Sequence, residues 1–159
     1  MESILSDFSR VLLKPKDENY KDSLNTLHRQ LSEELGHEYP AADHFVFNDE
    51  LLDFYASLKG QYPLHLFTTD IIQNHPHIRP KLDAVFDNII SASEHGLSKK
   101  DPAAYRFISD MIKKEPMEIV FIDDQLSNLE AAKSAGMKTV HYQDDNERAI
   151  HDIKALLAE

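Results

Sequence analysis

Apolar positions along this chain follow two periods. Short runs at Ile4-Leu5, Pro63–Phe67, Asp87–Ala92, Glu118–Asp123 and Thr139–Tyr142 are continuous or alternating, and each is about a strand long. Between them apolar residues recur every three or four positions. Leu51, Leu52, Tyr55 and Leu58 follow Asn48, a helix-capping residue, and stop at Gly60. Tyr105, Ile108, Met111 and Ile112 predict the inward face of a helix over Pro102–Lys114. Leu129, Ala132 and Ala135 predict one over Leu126–Ala135, closed by Gly136. A closing helix is predicted over Glu147–Leu157, and Ile71–Leu82, broken by prolines, reads as short helical pieces. Residues 17–47 are polar and acidic, with a stripe at Tyr20, Leu24, Leu27, Leu31 and Leu35 that ends at Gly36. Strands alternating with helices predict an α/β fold: a doubly wound, Rossmann-like, three-layer sandwich on a parallel sheet of about five strands.

That architecture changes how the polar residues read. Ligands of such sheets bind beyond the carboxyl ends of the strands. The residues there are Asp7, Thr68-Thr69 and Asp123-Asp124, with Lys99 after another strand. Two adjacent carboxylates ending the Val120-Phe121-Ile122 run repel each other and are costly to bury. A bound cation removes both penalties, and hard oxygen pairs suit Mg²⁺.

Composition narrows the partners. Seventeen basic against 28 acidic residues give a net charge of −11, which argues against a nucleic-acid backbone or an anionic membrane. A small phosphorylated substrate stays open, because a metal and one lysine overcome the global field locally. The chain has no cysteine, hence no disulfide or thiolate chemistry. No signal peptide and no run of bilayer length is evident, so a cytoplasmic protein is expected. Composition does not set the oligomeric state.

Four segments, SDFSRVL, LFTTD, GLSKKDPAAYRF and FIDDQLSNLEAAKSAGM, stand in the order of the four motifs of the haloacid dehalogenase (HAD) superfamily, and the sequence resembles that superfamily along its whole length except residues 17–47. The resemblance implies one HAD-like domain over 1–159, with 17–47 as a short helical cap insertion. It implies Mg²⁺-dependent phosphoryl transfer through an aspartyl phosphate on Asp7, which would also bind the metal. Ser9 would offer its backbone carbonyl as a further ligand. Thr68, with Thr69 beside it, would hold the phosphoryl oxygens. Lys99 would neutralise phosphate and nucleophile, Asp124 would bind the metal directly, and Asp123 would stand behind it. Asn128 would stand behind the metal ligands or position the helix, and Lys100 is the alternative to Lys99.

The first motif departs from the usual form. Phosphatases of the superfamily read Asp-x-Asp-Gly, whereas this chain reads Asp7-Phe8-Ser9-Arg10. The missing second carboxylate is the general acid–base, a contribution of about 10²–10⁴-fold. Three readings follow. The substrate carries a good leaving group, as in cation-transporting ATPases, which have a hydroxyl residue at this position; or another residue, Glu94 or His95, supplies the proton; or catalysis is lost and the domain binds a phosphate ligand or a protein. A dehalogenase fits less well, lacking the usual Tyr and a full cap. The short insert predicts a relatively open site. His75 and His77, in NHPHIRP, are read as a surface loop.

Overall fold

The computed structural model describes Met1–Glu159. Its main sheet has five parallel strands: β1 (Ser3–Ser6), β4 (Leu64–Thr68), β5 (Asn88–Ser91), β6 (Ile119–Asp123) and β7 (Lys138–His141), in the order β5-β4-β1-β6-β7. The registers Ser6↔Ile122 and Ser6↔Leu66 bring the carboxyl ends of β1, β4 and β6 level. Residues 7, 68–70 and 123–124 therefore leave the sheet side by side. The helices are α1 (Leu24–Leu35), α2 (Asp49–Leu58), α3 (Arg79–Asp83), α4 (Pro102–Ile112), α5 (Leu126–Ser134) and α6 (Asn146–Leu157). None is long and apolar enough to cross a membrane.

Alternation along the strands divides the core into two layers. Ile4, Leu64, Leu66, Val120, Ile122 and Val140 face one layer, together with Leu51 and Tyr55 of α2 and Ile153 of α6. Leu5, Phe67, Ile90, Ile119 and Phe121 face the other, with Tyr105 and Ile108 of α4 and Leu129 and Ala132 of α5. Both faces are covered, as a parallel sheet requires. Gly136 ends α5 at φ +103°, where an added Cβ would stand 3.3 Å from Pro116 Cβ, so both backbone and space select glycine. Met111 departs from the predicted inward face of α4 and is 40% exposed; the face turns at Ile108 and Ile112 instead.

The segment after β1 holds what the periodicity did not reveal. Strands β2 (Leu13–Pro15) and β3 (Phe45–Phe47) pair antiparallel, with Leu13 opposite Phe47. Three residues each are too few to show a period, and the pairing spans thirty positions. The pair forms the stem of the insert. Helix α1 begins only at Leu24, with the Ser23 side chain accepting from Thr26 N at 3.0 Å. Tyr20 precedes it and Leu35 is exposed. Leu24, Leu31, Tyr39 and Phe45 pack in the same apolar layer as Ile4 and Phe8, so the insert shares the core of the sheet.

A histidine-rich contact fastens the insert. His75, expected on the surface, is buried, while its neighbour His77 is exposed. The His28 ring of α1 meets the Tyr39 hydroxyl at 2.8 Å, and His75 packs edge-on against Tyr39 with ring centroids 4.3 Å apart. His75 was unreadable from sequence because its burial depends on Tyr39, 36 positions away. Burial lowers both imidazoles; His75 further lowers His28, and His77 further lowers His75. Both residues are thus neutral in the fold and bind protons more readily once it opens. Their contribution to stability is complete above about pH 6.5 and is lost as pH falls below that value. We expect NMR titration of the two imidazoles to give midpoints below 6.5. Midpoints at or above it would contradict the packing described.

Candidate active site

The site forms where β1, β4 and β6 end. Asp7 follows β1, and its backbone N–H donates to Ile122 O at 2.8 Å, which ties the first motif to the fourth. Lys99 reaches in from the loop before α4. Its Nζ lies 2.5 Å from Asp7 Oδ1, 2.9 Å from Phe67 O and 3.5 Å from Asp123 Oδ2. The Tyr105 hydroxyl donates to Lys99 O at 2.7 Å and anchors that loop to α4. Asp7 is 5% exposed and Lys99 7%. Lys100 turns away, its Nζ donating to Gln125 Oε1 and Ser127 Oγ on the surface. Lys99 is therefore the lysine of the site.

Asp123 is completely buried and held from behind by Gln125 N at 2.9 Å and Asn128 Nδ2 at 3.0 Å. Asp124 keeps its backbone carbonyl near His141 Nε2 at 3.0 Å, while its side chain faces the site. One oxygen each of Asp7, Asp123 and Asp124 lie within 4.8 Å of one another. Asp124 Oδ1 and Asn128 Oδ1 are buried without a hydrogen-bond partner.

Three carboxylates thus face one ammonium. Burial pushes the Asp7 carboxyl well above the ordinary range; Lys99 opposes this, and Asp123 adds to the rise. Burial, then the neighbouring Asp123, pushes Asp124 up to about 6. Burial alone would lower the Lys99 ammonium, but Asp7 and Asp123 outweigh it and hold it above its usual value. The cluster is short of positive charge, and a buried orphan carboxylate oxygen is a costly feature without a ligand. This donor set of close carboxylate oxygens fits a hard divalent cation such as Mg²⁺.

The remaining predicted residues divide. Ser9 and Thr69 line a cavity of about 250 Å³ with Asp7, Lys99, Asp124 and Asn128. Thr68 is buried and its hydroxyl donates to Gln73 Oε1 at 3.2 Å, so Thr69 takes the cavity wall where Thr68 was expected. Gln73, on the turn after β4, gave no signal in the sequence. Glu94 and His95 lie on an exposed turn, with the His95 ring against Phe107, and neither lines the cavity. Neither supplies the missing acid.

The insert is closer than its length predicted. Ser23, Leu24, Asn25 and Arg29 form one wall of the cavity, which remains partly open. Arg29 pairs with Asp70, and Asn25 Oδ1 accepts from Ile71 N and Ile72 N at 3.2 and 3.0 Å. Arg10, where relatives carry glycine, adopts φ +64°. A non-glycine residue there costs about 1–2 kcal/mol. Its Nη2 donates to Tyr20 O and Asp22 O at 3.2 and 2.8 Å, drawing the insert over the site.

Fold and acidic edge together define a doubly wound α/β domain with a carboxylate cluster at the carboxyl ends of its strands. The family model for haloacid dehalogenase-like hydrolases matches residues 5–136, and the chain belongs to that family. Among curated proteins it is 39% identical over 64 residues to the bifunctional epoxide hydrolase 2 of Rattus norvegicus, covering 40% of this chain and 12% of that protein. It is 29% identical over 117 residues to an enolase-phosphatase E1 of Bradyrhizobium sp., covering 68% of this chain and 48% of the relative. The chain thus spans half or less of these relatives. Among solved structures, a HAD-superfamily hydrolase from Geobacter sulfurreducens superposes with a TM-score of 0.70 at 15% identity, over 96% of this chain and 99% of that one. A HAD family enzyme from Bacteroides thetaiotaomicron, solved with magnesium and inorganic phosphate, gives 0.64 at 18% identity, over 90% and 94%. At these identities the likeness is one of fold.

Proposed function

We propose that this chain is a Mg²⁺-dependent phosphoryl-transfer hydrolase with Asp7 as its nucleophile, acting on a small phosphorylated metabolite whose leaving group needs no proton. The observation that carries this reading is the buried cluster of Asp7, Lys99, Asp123 and Asp124 around the unpartnered Asp124 Oδ1. Asp7, Asp124 and the Ser9 carbonyl would hold the metal, with Asp123 behind them. When bound, Mg²⁺ supplies the positive charge that offsets repulsion between a carboxylate and a phosphate. An Asp7 oxygen forms a bond to phosphorus as the bond to the leaving group breaks, and that group departs with the electron pair. Water then attacks phosphorus as the bond to Asp7 breaks, its proton passing to the released phosphate, and the Asp7 carboxylate is restored. Lys99, fixed by Phe67 O and Asp123, neutralises the charge on Asp7 and the phosphoryl oxygens. With Ser9 in the acid's place and no other acid evident in that role, leaving groups stable as anions, such as carboxylates, are favoured. The net charge of −11 and the small cavity support a role on small metabolites rather than on nucleic-acid or anionic membrane partners.

Turnover of acetyl phosphate and of an alkyl phosphate such as glycerol 1-phosphate tests this. We expect acetyl phosphate to be preferred, and activity to require both Mg²⁺ and Asp7, with Asp7→Asn at background. Ser9 also favours a second reading, a catalytically weak or silent domain that binds a phosphate ligand or a protein. Mg²⁺-dependent phosphate binding without turnover above the Asp7→Asn background would select it.

Metal binding has its own readout. Mg²⁺ at a hundredfold excess over its Kd should stabilise the fold by about 2.7 kcal/mol. For a chain of this size that is about 5–10 °C in Tm. Asp124→Asn should show almost none of this shift, yet match or exceed the metal-free wild type, because it removes a buried repulsion.

A further inference from the structure

We propose that Arg10 and Arg29 form a second anion subsite, which selects phosphorylated substrates whose leaving group carries its own negative charge, a carboxylate or a second phosphate. The inference rests on the phosphoryl-transfer reading above and narrows its substrate class. Both arginines line the same cavity as Asp7 and Lys99, in a wall whose only apolar member is Leu24. Each has spare donors. Arg10 uses only Nη2, on the carbonyls of Tyr20 and Asp22, and Arg29 uses only Nη2, on Asp70. Nε and Nη1 of both lack protein partners, and a guanidinium has five N–H donors in a planar fork suited to carboxylate and phosphate.

Asn25 points the same way. It is 6% exposed and lines the cavity, its Oδ1 is taken by two backbone amides, and its Nδ2 donor has no partner. The backbone of Arg10 adds a separate argument. Glycine would occupy its left-handed conformation without strain, whereas an L side chain is disfavoured there. Tethering the insert accounts for one nitrogen of the Arg10 side chain and leaves the rest free.

Charge supports the assignment. Within the cavity wall Asp7, Asp70 and Asp124 face Lys99, Arg10 and Arg29, with Asp123 just behind. A divalent cation would turn that balance positive, as a substrate with two anionic ends requires. Without the arginines, cation and Lys99 together only match the carboxylates of the phosphoryl site. At about 250 Å³ the cavity lies below the range of drug-sized pockets, so the second anion must sit within a few bonds of the phosphoryl group.

The test is calorimetry in Mg²⁺ with two non-hydrolysable probes, phosphonoacetate and methylphosphonate, on wild type, Arg10→Gln and Arg29→Gln. Wild type should bind phosphonoacetate at least tenfold more tightly. Either variant should cut that preference below about threefold and leave methylphosphonate within about threefold of wild type. Arg29 lies on an exposed helix position, so its variant serves if Arg10→Gln does not fold. Equal affinity of wild type for the two probes overturns the subsite and leaves the phosphoryl site standing. A preference that survives both substitutions, or equal losses for both probes, also overturns it. Binding of neither probe overturns the subsite together with the phosphoryl-transfer reading.

Discussion

Replacing Ser9 with aspartate is expected to raise Mg²⁺-dependent turnover of an alkyl phosphate such as glycerol 1-phosphate, whose alkoxide must be protonated as it leaves, by about 10²–10⁴-fold, the usual worth of a placed general acid–base. Ser9 lines the cavity two residues beyond Asp7, beside Arg10 and Asp124. A carboxylate there would face the departing oxygen, and crowding by Asp7 and Asp124 would raise its pKa toward that of a useful acid. Acetyl phosphate should gain far less, because acetate departs without a proton. The informative quantity is therefore the ratio of kcat/KM for the two substrates in the variant and in wild type. Equal gains on both would show that the serine limits something other than protonation. No gain on either, with phosphate still bound, would favour the silent domain.

The second large effect concerns stability. Lys99→Met should cost about 3–5 kcal/mol, the usual result of breaking a buried ion pair from one side. Lys99 is almost fully buried and contacts Asp7, Phe67 O and Asp123 at once. Without its ammonium the three clustered carboxylates have no cation among them, and only Asp123 keeps its hydrogen bonds from Gln125 N and Asn128 Nδ2. The loss should read as roughly 10 °C or more in Tm at pH 7.5 with chelator present. It should shrink as pH falls, because Asp7 and Asp124, both raised above their usual values, then protonate and end the repulsion. Lys100→Met is the control. That side chain lies on the surface, and the change should stay within about 0.5 kcal/mol. Similar losses for both lysines would contradict the burial of Lys99.

The motifs made much of the site legible, and the reason is local. Asp7, Thr68, Asp123 and Asp124 end or directly follow strands whose apolar runs are unmistakable, and a parallel sheet aligns such ends. Lys99 was the expected lysine and Lys100 its alternative, because only the turn before α4 and the Tyr105 hydroxyl decide which one points inward. Thr68 and Thr69 were both expected at the substrate, yet only Thr69 lines the cavity, because Gln73, on the next turn, takes the Thr68 hydroxyl.

The insert shows where local reading ends. Its helical stripe was visible, but its length suggested an open site. The cavity wall it builds comes from contacts with no sequence period: Arg29 with Asp70, Asn25 with the amides of Ile71 and Ile72, and Arg10 with the carbonyls of Tyr20 and Asp22. The β2–β3 stem and the burial of His75 against Tyr39 are equally long-range.

Alternating apolar runs and helical stripes by themselves determined a doubly wound α/β fold with an acidic edge, because burying those stripes leaves few other arrangements. The tertiary structure alone decided which lysine neutralises Asp7, how far the insert closes over it, and that two arginines share the cavity. Those outcomes depend on side chains meeting across 10 to 92 positions of chain, a distance over which no periodicity carries information.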